Sequence, residues 1–465
     1  MTSPGSLVGN PPSRWGAPGE DLAAPVPGAC KREHEEWYPM TVTHRKQGTR
    51  RPGHVGAAGG VQHTGVAPFP SGRATPAPAP GHGRPGDGRV DQRGDGVWRD
   101  GDPVGRRRFA DVGDIELERG GVLPGVRIAY ETWGTLNEAR DNVILVEHAL
   151  TGDSHVVGEA GDGHASPGWW NSLIGPGRPV DPGQWFVVAA NVLGGCQGST
   201  GPASTAPDGR PWGSRFPYVT VRDQVKAEHR VLADLGIDRL AAVVGGSMGG
   251  MRALEWAVSR PDAVERCIVL ASTAYATADQ IAWCQSQLLA IRHDPDFSGG
   301  DYYASGRRPD AGLGLARRIA HITYRTEAEL GQRFGREPQL GEDPLQAGER
   351  GRFAVESYLD HHAGKLARRF DANSYIVLTE AMNSHDVGRD RGGLRAALAR
   401  VTADCTVVSV DTDRLYPPRL SDELHAALPA SEREHIVSDF GHDGFLIEED
   451  QVGRIVREAL GRPRG

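Results

Sequence analysis

Gly245-Gly246-Ser247-Met248-Gly249-Gly250 is the stretch whose reading decides the fold. The apolar run Leu240-Ala241-Ala242-Val243-Val244 leads into it. A helix-like run, Met251 to Ser259, leads out, and Pro261 stops that run. Strand, glycine-flanked serine and helix form the sequence signature of a nucleophile elbow, G-x-S-x-G. The glycines have a steric purpose. The chain must turn sharply with the serine in a strained conformation, and side chains two residues to either side would collide. Such a turn holds Ser247 Oγ proud of the sheet edge, with the next helix N-terminus aimed at it. A plain glycine-rich turn with a capping serine shares the bare motif; the flanking strand and helix favour the elbow.

Working outward, the same alternation of strand and helix continues. Upstream, Val143-Ile144-Leu145-Val146 and Trp185-Phe186-Val187-Val188-Ala189-Ala190 are apolar runs of the kind buried on both faces of a sheet. The first ends in His148-Ala149-Leu150-Thr151-Gly152, the second in the glycine-rich loop 191–202. Val221 to Leu235 has helical periodicity and ends at Gly236. Alternating residues around Ile115–Glu118 and Val126–Tyr130, with Gly120-Gly121 between, predict an antiparallel hairpin or meander. Downstream, Cys267–Ala271 is another strand. The alternation then lapses through helical patterns at Ala278–Ile291, Leu313–Ala320, Phe353–Phe370 and Tyr375–Asn383. It resumes with the strand Thr406–Val410, the helix Ser421–Leu428, the strand His435–Val437 and the helix Gln451–Leu460. The expected fold class is therefore α/β: a mostly parallel central sheet flanked by helices, with a helical lid inserted between late strands.

A serine hydroxyl needs a base to become a nucleophile. In this architecture acid and base follow the serine in the order Asp or Glu, then His. Strand 406–410 runs into Asp411-Thr412-Asp413, and the last strand is followed by Asp439-Phe440-Gly441-His442-Asp443. His442 is the base candidate; spacing alone does not choose between Asp411 and Asp413. Alone, His442 reads as an ordinary loop histidine, but elbow and acid in order make it catalytic. The oxyanion of an acyl-transfer intermediate needs two backbone N–H groups. Met248, after the nucleophile, supplies one, and the loop 148–152 the other. His148 itself is expected to pack rather than react.

Bulk composition bounds the rest. Of 465 residues, 63 are Gly and 33 Pro, crowded toward the N-terminus. Residues 1–108 read as a disordered low-complexity tail rich in Gly, Pro and Arg, or as translation from an upstream start. The run Arg106-Arg107-Arg108 reads as a solvated linker end. The core is expected over 109–271 and 401–465, with the lid over 272–400. A net charge of −8 gives no case for nucleic-acid or membrane binding. Five scattered cysteines without a C-x-x-C pair fit a reducing compartment, not a disulfide framework or zinc site. Without a long apolar run or a secretory leader, the expected location is cytoplasmic. The adjacent His361-His362 point apart on a helix and read as structural; no metal site is expected.

Several stretches together resemble one family: HALTGDSHV (148–156), GWWNSLIGPG (168–177), NVLGGCQGSTGP (191–202), VVGGSMGGM (243–251), LARRIAHITYR (315–325), FDANSY (370–375), DRLYPP (413–418) and GHDGFLIE (441–448). They resemble the homoserine O-acetyltransferases of the α/β-hydrolase superfamily, and NSHDVGRDRGG (383–393) resembles the actinobacterial branch. The resemblance implies Asp413 as the acid and Leu150 as the second oxyanion donor. It implies that Arg317 holds the substrate carboxylate and that Asp443 meets its ammonium. It also implies a ping-pong transfer of acetyl from acetyl-CoA, a co-substrate rather than a cofactor, to L-homoserine in methionine biosynthesis, by a homodimer joined through the lid. Alternatives are a succinyl donor or serine acceptor on the same fold, a serine esterase, or a non-catalytic α/β scaffold. Two departures stand out. Arg252 replaces a usual Gln just past the elbow, which bears on the acyl pocket or its entrance. Asp411-Thr412-Asp413 replaces a commoner Ser-Asp ending.

Overall fold

In the computed structural model, residues 96–462 are described, save 162, 347 and 349. Of the tail expected over 1–108, residues 1–95, with Cys30, lie outside the described residues.

The chain enters through β1 (Arg108–Glu116) and β2 (Val122–Trp133), paired antiparallel across the turn at Gly120-Gly121, as the alternation predicts. Next come β3 (Val143–Glu147) and β4 (Phe186–Ala190), then α1 (Val221–Asp234), β5 (Ala242–Gly246), α2 (Met248–Ser259) and β6 (Arg266–Leu270). Thr220 starts α1 with a capping box: its hydroxyl accepts the Asp223 N–H while Asp223 accepts the Thr220 N–H. A helical insertion follows: α3 (Ala278–Arg292), α4 (Asp310–Tyr324), α5 (Glu327–Phe334), α6 (Ala354–Ala367), α7 (Ala372–Asn383) and α8 (Leu394–Leu398). The chain then returns through β7 (Asp404–Val410), α9 (Pro418–Ala427), β8 (Ser431–Ile436), α10 (Gly444–Ile447) and α11 (Glu449–Gly461).

The eight strands form one sheet in the order β1-β2-β4-β3-β5-β6-β7-β8. Strands β3 to β8 run parallel, and β2 joins β4 antiparallel. Successive side chains on a strand point to opposite faces. Leu145, Val243, Val269 and Val407 therefore pack on one face beneath Leu254 and Trp256 of α2 and Val231 of α1. Val146, Val244, Ile268 and Val408 pack on the other, against Val452, Ile455 and Val456 of α11. A third apolar cluster lies above the elbow, where Leu150, Met248 and Met251 meet Leu288, Leu313, Phe370 and Tyr375 of the insertion. The insertion is thus anchored over the strand ends where the elbow sits.

Two expectations are corrected. Residues 96–108 are not tail: Val97 is buried, the Trp98 N–H donates to Cys196 O at 3.0 Å, and its ring packs on Phe109. Arg107 is not solvated either. It is buried, and its guanidinium donates to Gln197 O, Gln197 Oε1 and Gly163 O at 2.5–3.1 Å. Its partners lie far along the chain, where a local reading of a basic run does not see them. The helices α5, α8 and α10 were not foreseen, and β8 starts earlier than expected because Ser431-Glu432-Arg433-Glu434 is an edge segment lacking large apolar residues. No helix among the described residues is long and apolar enough to cross a membrane.

Candidate active site

The site is built at the C-terminal ends of β3, β5, β7 and β8, as is usual for an open parallel sheet. Ser247 sits between β5 and α2 at φ 56° and ψ −122°, a conformation unfavourable for a non-glycine residue. Its surroundings enforce the strain. The Ser247 N–H donates to Leu270 O at 3.0 Å, and the Ser272 hydroxyl donates to Ser247 O at 2.8 Å. A Cβ at Gly249 would run into the carbonyl oxygen of Glu147, and one at Gly245 into the backbone of Gly249.

His442 lies in the loop after β8. Its Nε2 is 2.9 Å from Ser247 Oγ, and its Nδ1 is 2.7 Å from Asp413 Oδ2. The other Asp413 oxygen accepts the N–H groups of Leu415 and Tyr416, both at 2.8 Å, so the carboxylate cannot swing away. All three side chains are buried. Asp411 is exposed, and its carboxylate accepts the Ser438 N–H; it takes no part. The Tyr416 ring stacks on the imidazole at 4.9 Å, and the Tyr324 and Phe445 rings stand at 5.7 and 5.5 Å. Burial pulls the His442 pKa down, but the charge and hydrogen bond of Asp413, with Asp443 adding, leave it above the ordinary histidine value. An imidazole held between a hydroxyl and a buried carboxylate can take the hydroxyl proton and return it to a leaving group.

Two backbone N–H groups by the elbow have no protein acceptor among the described residues: that of Met248, first in α2, and that of Leu150, after β3. Their side chains are buried beside each other in the cluster above the elbow. Arg317, on α4, is half-buried, and its guanidinium lies 5.7 Å from the Tyr324 ring centroid. It has no carboxylate partner among the described residues. Lys365 and Arg369 are close enough for its charge to lower their pKa values, after the larger effect of burial. Arg369 is paired with Asp153 at 3.9 Å, which leaves the Arg317 guanidinium as a place for an anion. Asp443, beside His442, is 3.4 Å from Arg325, whose other arm pairs with Glu329 at 2.6 Å.

Among the described residues Glu131, His155 and His164 lie close enough to surround a metal ion. Their lone pairs are engaged otherwise. His164 Nε2 accepts the Arg106 N–H at 3.0 Å, and His155 faces Glu131 and Glu159 O with its two nitrogens. Burial, with the nearby Arg107 charge, lowers the His164 pKa to about 4, and the trio forms a buried hydrogen-bonded network.

This geometry can be set beside known proteins. A family model described as the alpha/beta hydrolase fold matches residues 142–449. The homoserine O-acetyltransferase of Thermobifida fusca is 61% identical over 368 residues, covering 78% of this chain and 96% of its own. That of Mycobacterium tuberculosis is 56% identical over 352 residues, covering 76% and 92%. The chain belongs to the homoserine O-acetyltransferase family. It is an acyltransferase of the α/β-hydrolase fold. The crystal structure of the family member from Bacillus anthracis superposes with a TM-score of 0.71 at 29% identity, over 77% of this chain and 98% of its own. Esterase E22 superposes with 0.70 at 29%, over 76% and 99%. Transferases of this family and esterases thus share one scaffold.

The structure brings Ser247, His442, Asp413, Met248 and Leu150 together, and places Arg317 and Asp443 on the flanks facing Tyr324 and His442. It buries Arg252, which the resemblance ties to the acyl pocket or its entrance, against Glu147, Glu228 and His148 O. That side chain is fully buried beneath the loop after β3. Sequence reasoning missed Tyr416 and Tyr324 as walls around the imidazole, and Arg369, which donates to Thr151 O at 2.5 Å. Tyr416 was legible as the aromatic of Asp413-Arg414-Leu415-Tyr416-Pro417; Arg369 had no local signal.

Proposed function

We propose that the chain transfers acetyl from acetyl-CoA to the hydroxyl of L-homoserine, giving O-acetyl-L-homoserine for methionine biosynthesis, through an acyl-enzyme on Ser247. The observation that carries this reading is the unbroken Ser247–His442–Asp413 hydrogen-bond chain at a strained elbow, in a chain 61% identical to a homoserine O-acetyltransferase. His442 Nε2 takes the Ser247 proton as Oγ attacks the thioester carbonyl. The N–H groups of Met248 and Leu150 receive the oxyanion. The C–S bond breaks, and His442 protonates the departing CoA thiolate. Homoserine then enters with its carboxylate on Arg317, a planar fork suited to two parallel hydrogen bonds. Its ammonium meets Asp443. His442 takes the homoserine hydroxyl proton, that oxygen attacks the acetyl carbon, and collapse returns Ser247.

Water would hydrolyse the same intermediate. The insertion α3–α8 acts as the lid that excludes it. The lid also carries an apolar outer face: Ile281, Trp283 and Leu289 of α3 and Leu315 and Ile322 of α4 are each 38–49% exposed. Such a face suits a homodimer formed through the lid. The described cysteines, Cys196, Cys267, Cys284 and Cys405, are all unpaired, which suits the reducing cytoplasm.

Rapid mixing with acetyl-CoA tests the central step. One equivalent of CoA is released in a burst, and acetyl is recovered on the Ser247 peptide. Normal turnover by Ser247→Ala overturns the reading. The likeness to esterase E22 supports one rival: hydrolysis of acetyl esters that persists with homoserine saturating. A panel of acetyl and succinyl donors with homoserine and serine acceptors separates the remaining substrates, since one methylene is worth only about 1–3 kcal/mol of discrimination.

A further inference from the structure

Arg252 lies on α2, one helical turn beyond Met248, with its side chain fully buried. One end of its guanidinium donates to His148 O at 2.6 Å. The other end donates to Glu228 Oε1 of α1 at 2.6 Å and lies 2.7 Å from Glu147 Oε2, at the end of β3. Glu228 is held in turn by the Trp256 indole N–H at 3.0 Å. A charge this deep persists only because each end is paired.

The carbonyl that Arg252 grips belongs to the peptide at the start of the loop carrying Leu150. The remaining peptide groups there are tied as well. The Val192 N–H donates to His148 Nε2 at 3.1 Å, so Nδ1 carries the proton and donates to Ala149 O at 2.8 Å. The Gly152 N–H donates to the same oxygen at 2.9 Å. Burial, with the neighbouring Arg252 charge, keeps His148 neutral, which preserves this tautomer. Both carbonyls preceding Leu150 are therefore fixed, while its N–H has no protein acceptor among the described residues.

We propose that Arg252 is a positioning residue that fixes the two oxyanion donors relative to each other: α2 supplies the Met248 N–H directly and, through the Arg252–His148 O bond, sets the aim of the Leu150 N–H. The inference rests on the acyl-enzyme reading above. It assigns the buried arginine after the elbow to the oxyanion loop and not to the acyl pocket. Two buried carboxylates share one guanidinium here. Burial pushes the Glu147 pKa well above the usual carboxylate range, with the nearby Glu228 adding to the rise and Arg252 opposing it.

The test uses the full-length chain carrying ¹³C-acetyl on Ser247, with the acyl carbonyl stretch read by infrared difference spectroscopy beside the acylation rate. Arg252→Met is expected to slow acylation by acetyl-CoA about 10- to 100-fold, short of the ~10²–10³-fold lost when a donor is deleted outright. The KM for acetyl-CoA stays within about threefold, and the carbonyl band moves to higher wavenumber as its hydrogen bonds weaken. Arg252→Lys, which still reaches His148 O, restores most of the rate and the band. Should Arg252→Met not fold, Arg252→Gln carries the same expectation in weaker form. A folded Met or Gln variant with lowered melting temperature but wild-type acylation rate and carbonyl band overturns the proposal. Failure of the wild type to form acetyl-Ser247 overturns the underlying reading instead, so the two failures are distinct.

Discussion

In the proposed mechanism, Ser247, His442 and Asp413 turn a weak nucleophile into an acyl carrier because Asp413 stabilises the imidazolium that forms on His442. With the His442 pKa raised above the ordinary histidine value, the base is protonated at low pH and inactive. The acylation rate therefore climbs as pH rises through a limb placed above about 6.5, the unperturbed histidine pKa. Asp413→Asn removes the cause of the upward shift. It moves that limb to lower pH and cuts the acylation rate by about 10⁴-fold, as removal of a triad carboxylate does. A pH series of the CoA burst checks both effects. On the acceptor side, a charge-assisted hydrogen bond is worth about 1.5–3 kcal/mol. Arg317→Met is expected to raise the KM for homoserine about 10- to 100-fold, leaving the burst with acetyl-CoA alone nearly intact; steady-state and burst kinetics on one preparation separate the two. At this scale the sequence carried far. The order of serine, acid and histidine along the chain pointed to the catalytic set, while Asp411 and Asp413 remained open on spacing. The structure separates them by burial: Asp411 faces solvent, and Asp413 is enclosed with two N–H groups on its free oxygen.

The elements owe their placement to close approach as much as to apolar surface. Helix α2 packs onto β3 because Gly249 brings backbone against the Glu147 carbonyl. Gly249→Ala pushes a methyl into backbone that has no flexible end to yield. Overpacking of this kind costs about 1–3 kcal/mol. A drop of several degrees in melting temperature, with loss of the acyl burst at temperatures where the fold persists, is the expected outcome in thermal and kinetic assays. The central strands were legible because runs such as Val143–Val146 are apolar on both faces, and only the middle of a parallel sheet accommodates them. Helix α5 escaped notice because Glu327–Phe334 is short and mostly polar, with only Glu329 buried. The edge strand β8 was seen only at its C-terminal end, since Ser431–Glu434 lacks the apolar character of a central strand. Residues 96–108 were assigned to the tail on their glycine, proline and arginine content, yet they dock through Val97, Trp98 and Arg107, whose partners come from the loops 163–164 and 196–197.

At the scale of the whole molecule, the sheet supplies a rigid floor, the α3–α8 insertion lies over the strand ends, and the proposed active site sits at their junction. The apolar outer face of α3 and α4 predicts association. Light scattering of the purified chain is expected to give twice the 49.8 kDa chain mass. Ile281→Lys combined with Leu315→Glu is expected to give the single-chain mass, because burying a charge of either sign without a partner outweighs the apolar gain. A wild type of single-chain mass overturns the dimer reading. By itself, the sequence determined the fold class and the catalytic chemistry, because both are written in local patterns: apolar periodicity, glycines around a serine, and the order of three reactive side chains. Only the tertiary structure decided what the charged residues off that pattern do. Read with its neighbours, Arg107 looks like the solvated end of a linker, and Arg252 looks like a residue bearing on the acyl pocket or its entrance. They become buried struts through Gln197, Glu147, Glu228 and His148, residues distant in sequence whose proximity exists only once the sheet has formed. Whether a charge is solvated or buried depends on such partners, and the chain around Ser247 cannot name them until the fold has brought them to the elbow.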